Sequence, residues 1–123
     1  MRLVPDDSRA HGNLGQALSE NDEYDAAIAE YNQALRLKPH DSHLHSGLGV
    51  TIARRGHLDH AIPWFREALR LDPSNPEAHY NLGKVLFDSG NAFEAWSEAR
   101  EALRLKPDFE KAQYLVDLAH RRM

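Results

Sequence analysis

The sequence predicts an all-α fold, a solenoid of three stacked helical hairpins followed by a C-terminal capping helix. The first observation behind this prediction is a repeat, because LRLKP at residues 35–39 and 103–107 has a near copy, LRLDP, at 69–73. The second observation is that each repeat carries two helical patterns of apolar residues separated by a turn signal. One hairpin of short helices cannot bury its own apolar face, so the repeats are expected to stack.

The repeat has a period of 34 residues, which divides the chain into blocks at 8–41, 42–75 and 76–109. The blocks align without gaps, and nine columns of the alignment are identical in all three. These columns begin at His11, Leu14, Gly15, Ala27, Ala34, Leu35, Arg36, Leu37 and Pro39. We predict a single domain over 1–123, in which residues 1–7 are the end of a preceding repeat and 110–123 form the capping helix.

Each block is expected to contain a shorter first helix and a longer second helix. The first helices carry NLGQAL, GLGVTI and NLGKVL. In the first block, apolar residues at spacings of three and four from Tyr24 to Leu35 indicate the second helix. Capping residues stand before each first helix, and Pro76 occupies a favourable N1 position. The recurring prolines end the second helices, because proline disfavours the helical conformation of the residue before it.

A glycine recurs inside the first helix of each block, at Gly15, Gly49 and Gly83. Glycine in a helix interior costs about 1 kcal/mol relative to alanine. We interpret the column as close approach of the two helices of a hairpin, with each glycine facing the small alanine column that begins at Ala27. The last helix has Asp117 in the glycine column, which favours a terminal cap. The first helix of the chain has no cap, so it is expected to stack on an upstream repeat or on another molecule.

These features resemble the tetratricopeptide repeat family over nearly the whole chain. The Leu–Gly pair, the alanine after the turn, the aromatic at Tyr31 or Phe65 and the closing proline all match the family pattern. The resemblance implies a right-handed α–α solenoid whose first helices line a concave surface. The third block departs from the pattern with Ala99 in the aromatic column. We interpret Trp96 as supplying the volume missing at Ala92 and Ala99.

The composition argues against several functional classes. The formal net charge is −4, whereas a nucleic-acid binder carries a basic patch or stripe. The chain has no apolar run of about 18 residues, so no membrane partner is expected. It has no cysteine and therefore no thiolate chemistry. We expect a cytoplasmic protein, although a fragment of a longer array would have lost its targeting signal.

No cofactor, metal site or catalytic site is predicted, although the chain contains eight histidines. His43 and His45 are two residues apart on a helix, so their rings point about 200° apart and cannot share an ion. The histidines of the repeated column lie one repeat apart, which is too far for shared coordination. No nucleophile, base and orienting acid stand out as a set, so we expect no enzymatic activity.

The resemblance places the partner-binding residues on the concave surface. These residues are Arg9, Asn13, Gln16, His43, Val50, Arg54, Tyr80, Asn81, Lys84, Phe87 and Tyr114. Asn13 and Asn81 occupy equivalent columns, where an asparagine reaches the main chain of an extended peptide. Apolar residues on the same surface form a track, which comprises Val50, Tyr80, Phe87, Tyr114 and Leu118. The alternative is that Tyr114 and Leu118 only pack the cap.

Members of this family that bind chaperone tails hold a terminal carboxylate with lysines, an arginine and asparagines at fixed columns. The matching residues here are Gly12, Gln16, Gly47, Glu77 and Asn81. None of them is cationic, and Glu77 would repel a carboxylate. Binding of a chaperone tail in that mode is therefore not expected.

The leading hypothesis is a non-enzymatic protein–protein interaction scaffold that binds a peptide or a partner helix in its concave groove. One alternative is an accessory segment of a larger enzyme such as a protein glycosyltransferase, in which similar arrays precede the catalytic domain. It is motivated by RLVP at residues 2–5, which resembles the tail of an earlier repeat. Another alternative is a self-associating assembly module that uses the uncapped N-terminal repeat.

Overall fold

The computed structural model describes residues 7–123, which consist of α-helices joined by short turns. The helices in this range are α1 (Ser8–Glu20), α2 (Tyr24–Leu37), α3 (Ser42–Arg54), α4 (Leu58–Leu71), α5 (Pro76–Asp88), α6 (Ala92–Leu105) and α7 (Glu110–Arg121). No strand occurs within residues 7–123. Apart from Asp7, the segment predicted to end a preceding repeat lies outside the described residues.

The helices pair into hairpins in chain order. Helix α1 packs on α2, α3 on α4 and α5 on α6, while α7 packs on both helices of the last hairpin. Contacts of α2 with α3 and of α4 with α5 join successive hairpins. The predicted all-α solenoid is therefore confirmed.

The stack curves toward its first helices. Along the array α1 contacts α3, α3 contacts α5 and α5 contacts α7. The second helices do not meet in this way, because within residues 7–123 no Cα of α2 lies within 8 Å of α4, nor any of α4 within 8 Å of α6. The layer formed by α1, α3, α5 and α7 is therefore the inner, concave side.

The hairpin turns share one hydrogen-bonded geometry. In each turn a backbone N–H donates to the carbonyl five residues earlier, as Glu23 does to Leu18 at 2.8 Å. This is a Schellman motif, which requires one residue in the left-handed region. That residue is Asp22 in the first turn, with φ of 63°, and Gly56 and Gly90 in the later turns, with φ of 99° and 94°. The first hairpin thus makes the same turn with aspartate in place of glycine.

Side-chain caps fix the starts of α3 and α5, the first helices of the second and third repeats. The carboxylate of Asp41 accepts a hydrogen bond from the N–H of His43 at 2.9 Å. The amide oxygen of Asn75 accepts from the N–H of Glu77 at 3.0 Å, and Pro76 occupies the first helical position. Such caps satisfy N–H groups that have no partner inside the helix. They also fix the first turns of α3 and α5, which carry His43 and Glu77 toward the concave side.

The glycine column inside the first helices marks close packing, but its neighbours differ from those expected. A Cβ on Gly15 would lie 3.0 Å from the ring of Tyr31, and one on Gly49 would lie 2.8 Å from the ring of Phe65. Aromatic rings, not alanine methyl groups, are therefore the nearest neighbours of these two glycines. Of the three glycines, only Gly83 has the alanine column among its nearest neighbours, with the carbonyl oxygen of Ala95 and a δ carbon of Leu115 both at 3.2 Å.

The third repeat fills its core from the capping helix. Ala99 stands where the earlier repeats have Tyr31 and Phe65, and it is fully buried. The side chain of Leu115 reaches to 3.2 Å from the position that a Cβ on Gly83 would occupy. Leu115 thus supplies volume that Ala99 lacks. Trp96, which was predicted to supply this volume, is only partly buried at the edge of the cluster and lies under the guanidinium of Arg100 at 4.6 Å.

One face of α1 has no neighbouring hairpin within residues 7–123. Leu14 is 48% exposed, whereas its repeat equivalents Leu48 and Leu82 are each 1% exposed. Ala10 and Ala17 flank Leu14 on this face and are exposed as well. The positions that are buried in the first helix of each later repeat are therefore exposed on α1. We call Ala10, Leu14 and Ala17 the α1 outer face.

Candidate functional site

A groove runs along the concave side across α1, α3 and the start of α5. It consists of two adjoining depressions, of about 630 Å³ and about 300 Å³. The first is lined by Ser8, Arg9, Gly12, Asn13, Gln16, Tyr31, Lys38, Asp41, His43 and Leu44. The second is lined by Gln16, Ser19, Glu20, Tyr31, His43, Ser46, Gly47, Val50, Arg54, Asn75, Glu77 and Asn81. Because three residues line both, the depressions are continuous, and we call them the inner groove.

Two glycines make room in the inner groove. A Cβ on Gly12 would lie 2.9 Å from a δ carbon of Leu44. A Cβ on Gly47 would lie 2.5 Å, 2.6 Å and 2.7 Å from Cε1, Cζ and Oη of Tyr31. These distances are below van der Waals contact, so side chains from neighbouring helices occupy the space that residues 12 and 47 leave empty. The floor of the groove is therefore made by Leu44 and Tyr31.

The structure brings seven of the predicted site residues together. Arg9, Asn13, Gln16, His43, Val50, Arg54 and Asn81 line the inner groove. The other four, Tyr80, Lys84, Phe87 and Tyr114, do not line it. Lys84 forms an ion pair with Asp88 at 2.8 Å, one turn further along α5.

The predicted apolar track is divided between packing and solvent. The ring of Tyr80 lies 5.2 Å from that of Phe109, which packs the start of the capping helix. The ring of Phe87 lies under the guanidinium of Arg122 at 5.2 Å. Tyr114 is 65% exposed and so does more than pack the cap, whereas Leu118, the other residue of that alternative, is partly buried. Tyr80 and Phe87 are therefore tied to the C-terminal end of the chain and are not open to a ligand along their full rings.

Two amides of the inner groove, those of Asn13 and Asn81, have no partner within residues 7–123, and the charges of the groove balance. The side chains of Asn13 and Asn81 form no hydrogen bond with any residue of the described range 7–123. Arg54 donates to the carbonyl oxygen of Ser19 at 3.3 Å. Three cationic residues and three carboxylates line the groove: Arg9, Lys38, Arg54, Glu20, Asp41 and Glu77. The groove therefore offers hydrogen-bonding groups without a dominant charge.

The repeated histidines connect helices and do not converge on an ion. His11 Nδ1 lies 2.7 Å from a carboxylate oxygen of Glu30, and His79 Nδ1 lies 2.8 Å from one of Glu98. His45 has Trp64 in the equivalent place, with ring centroids 5.7 Å apart. No group of three histidine or carboxylate side chains is placed to hold a metal ion within the described part of the chain.

The charge state of His79 follows from its two partners. Nδ1 faces Glu98, and Nε2 lies 2.8 Å from the carbonyl oxygen of Pro73. Burial of the ring acts to lower the pKa of His79, but the hydrogen bonds to Glu98 and Pro73 and the charges of Glu98 and Glu101 outweigh it, so the pKa lies above its ordinary value.

Several groove residues were not predicted from the sequence. Tyr31 was assigned to the apolar face of α2, and Leu44, Glu20, Asn75 and Lys38 were assigned no role at the concave surface. The signal that could have revealed Tyr31 is the glycine at position 47 in the column of Asn13 and Asn81. A missing side chain in a surface column exposes whatever lies beneath it.

Stacked hairpins with a groove along their first helices define a helical repeat protein. The tetratricopeptide repeat family matches residues 2–42, 13–76 and 53–108, which together span most of the chain. The chain belongs to the tetratricopeptide repeat family. No curated protein matches its sequence significantly. None of α1–α7, the helices of the described residues, is long and apolar enough to cross a membrane.

Solved tetratricopeptide domains share the fold at low sequence identity. The first such domain of Spaghetti (RPAP3), bound to the HSP90 peptide SRMEEVD, is 19% identical with a TM-score of 0.89, over 93% of this chain and 90% of that one. The Arabidopsis OM64 domain is 18% identical with a TM-score of 0.90, over 94% and 96% of the two chains. The Sgt2 domain from Aspergillus fumigatus is 21% identical with a TM-score of 0.89, over 94% and 78%.

Proposed function

We propose that this protein is a non-enzymatic interaction scaffold and that the inner groove binds an extended peptide segment of a partner protein. The observation that carries the proposal is the groove itself, a continuous depression whose amides at Asn13 and Asn81 lack partners within residues 7–123. An extended peptide has unpaired main-chain N–H and C=O groups, which asparagine amides match as both donors and acceptors. A neighbour in fold that is bound to a peptide supports the same reading.

The charge balance of the groove favours a peptide of low net charge. The peptide SRMEEVD bound by the Spaghetti domain carries two glutamates and an aspartate. Here Glu20 and Glu77 line the groove and offset the cations Arg9 and Arg54. We expect SRMEEVD to bind this chain more weakly than peptides of low net charge do, and binding of preferred peptides to depend little on salt.

Affinity selection of random peptides followed by substitution of the groove amides tests the proposal. Peptides selected on the unmodified chain are measured against the double variant Asn13→Ala with Asn81→Ala. We expect a loss of about tenfold or more, since each lost hydrogen bond is worth about 0.5–1.5 kcal/mol. The matched control is Asn32→Ala, which removes an exposed amide from α2 outside the inner groove. Equal affinity of the double variant and the control would contradict the proposal.

A second candidate function, self-association, is favoured by the α1 outer face. We propose that a second copy of the chain covers this face, because the same columns are buried in the later repeats. Sedimentation over a range of concentrations tests it, with Leu14→Lys expected to shift the equilibrium toward monomer. Phe93→Lys is the control, because Phe93 is 62% exposed on α6. A chain that stays monomeric at the highest concentration reached would exclude the candidate.

A further inference from the structure

We infer that Tyr31 is a partner-binding residue of the inner groove and that its hydroxyl stands in for the side chain missing at Gly47. The partner group is a main-chain carbonyl oxygen of an extended, uncharged peptide segment. The inference deepens the proposed function and rests on it.

The hydroxyl of Tyr31 completes a row of polar groups along the first helices. Asn13, Gly47 and Asn81 occupy the same column of the three repeats. The outer two present to the groove amides that have no partner within the described part of the chain, and the middle residue has no side chain. Oη of Tyr31 lies 2.7 Å from the position that a Cβ on residue 47 would take, and Cζ lies 2.6 Å from it. The hydroxyl therefore occupies the space in which a side chain at position 47 would begin.

This hydroxyl is available to a ligand. Tyr31 is only 6% exposed, yet it lines both depressions, and its Oη is not among the fully buried polar atoms that lack partners. No residue in the described range 7–123 forms a hydrogen bond with it. A hydroxyl at the bottom of a groove that no described side chain or main-chain group pairs with can donate to an acceptor of a bound peptide.

The surroundings of the hydroxyl define what it can bind. Burial raises the pKa of Tyr31 above its ordinary value; Glu20 adds to this effect and Arg54 opposes it. The hydroxyl therefore keeps its proton at neutral pH and acts as a donor. Because Glu20 and Arg54 flank it with opposite charges, an uncharged acceptor fits best. Carbonyl oxygens are the uncharged acceptors that recur along an extended peptide.

The next repeat provides an internal comparison. Phe65 is the counterpart of Tyr31 and lacks a hydroxyl, and the residue in the column of Gly47 is then Asn81, which brings its own amide. A ring with a hydroxyl thus accompanies glycine, and a ring without one accompanies asparagine. Each combination supplies one polar group per repeat. The row ends at the cap, where the same column holds Leu115, only 2% exposed.

The test is Tyr31→Phe, measured with peptides selected from a random-peptide phage library on the unmodified chain. Phenylalanine keeps the ring that packs against Gly15, and Phe65 shows that the repeat accepts it. We expect binding to weaken about three- to tenfold, with an unchanged thermal midpoint. Tyr24→Phe is the matched control, because it makes the same chemical change outside the inner groove, where the hydroxyl of Tyr24 donates to Asp22 at 2.9 Å.

The outcomes separate this inference from the function on which it rests. If Asn13→Ala with Asn81→Ala weakens binding and Tyr31→Phe does not, the role of Tyr31 is overturned while the peptide groove stands. If Tyr31→Phe lowers the thermal midpoint more than Tyr24→Phe does, the hydroxyl serves the fold and the inference is also overturned. A library that yields no peptide sensitive to the groove variants overturns both.

Discussion

The Nε2 atom of His79 lies 2.8 Å from the carbonyl oxygen of Pro73. This contact links the first helix of the third repeat to the closing proline of the second repeat. His45 makes the same contact with Pro39 at 2.8 Å. The carbonyls at the end of a helix have no intrahelical partner, and each of these prolines stands two residues after the last residue of α2 or α4. The histidine and proline columns of the sequence are therefore two halves of one link between successive repeats.

This link predicts a pH-dependent stability. Nε2 of His79 faces Pro73 and Nδ1 faces Glu98, and only a ring protonated at both nitrogens donates to both. Because the pKa of His79 is raised in the folded chain, its contribution is full below the unfolded value of about 6.5 and is lost as pH rises through the folded pKa. We expect His79→Gln to cost about 1 kcal/mol near pH 6 and less near pH 9, measured by urea unfolding.

The control for this prediction is His120→Gln, which changes an exposed histidine at the end of α7. It should leave both the stability and its pH dependence close to those of the unmodified chain. If both variants showed the same pH dependence as the unmodified chain, the link between Pro73 and His79 would not depend on protonation.

The close approach of Gly49 to Phe65 predicts that Gly49→Ala destabilises the chain, although alanine has the higher helix propensity. Alanine in place of a helical glycine gains about 1 kcal/mol when nothing else changes. A Cβ at Gly49 would lie 2.8 Å from the ring of Phe65, a fully buried side chain that cannot move aside. We expect Gly49→Ala to lower the free energy of unfolding by about 1–3 kcal/mol in a urea titration.

A second substitution shows whether the clash is the cause. In a double-mutant cycle, Phe65→Leu should remove most of the penalty of Gly49→Ala, because the smaller side chain leaves room for the methyl group. Additive losses in the cycle, or a stabilised Gly49→Ala variant, would contradict the packing seen here.

The repeat made the fold predictable from the sequence, but it did not predict which side chains cover each helix face. Identical columns and helical spacing fix which residues share a helix face, because each block must bury its apolar face on the next. Spacing does not say which neighbour covers a residue on that face. Tyr80 and Phe87 were predicted to lie open on the concave surface, but the ring of Phe109 and the guanidinium of Arg122, from the C-terminal part of the chain, lie against their rings.

The inner groove was predictable for residues on its walls and not for its floor. Asn13 and Asn81 follow from their column alone. Tyr31 reaches the groove from α2 only because Gly47, in the next repeat, lacks a side chain. That contact depends on two residues in different repeats, so no single helical pattern contains it.

The packing of Tyr80 predicts a loss of stability where the sequence alone suggested a loss of binding. Its ring lies 5.2 Å from that of Phe109 at the start of the cap and packs against the buried cluster of Ala102, Phe109 and Ala112. We expect Tyr80→Ala to destabilise the chain by about 2 kcal/mol, below the full cost of removing a buried aromatic because Tyr80 is only partly buried. Tyr114→Ala, on the exposed side of α7, should change stability by less than about 0.5 kcal/mol. Similar losses in thermal unfolding for both variants would show that the cap does not depend on the Tyr80–Phe109 contact.

The positive φ of the turn residues predicts that substitution of Gly56 lowers stability through backbone strain alone. Gly56 has φ of 99°, and beyond its two chain neighbours no atom of the described residues lies within 4 Å of the position that its Cβ would take, so a substitution there meets strain without a clash. Gly56→Ala should therefore cost about 1 kcal/mol in chemical unfolding. Gly56→Asn is the matched variant and should cost less, because short polar side chains tolerate this region, as Asp22 does at φ of 63° in the first turn. If alanine and asparagine were equally destabilising, the backbone conformation of this turn would not be the cause.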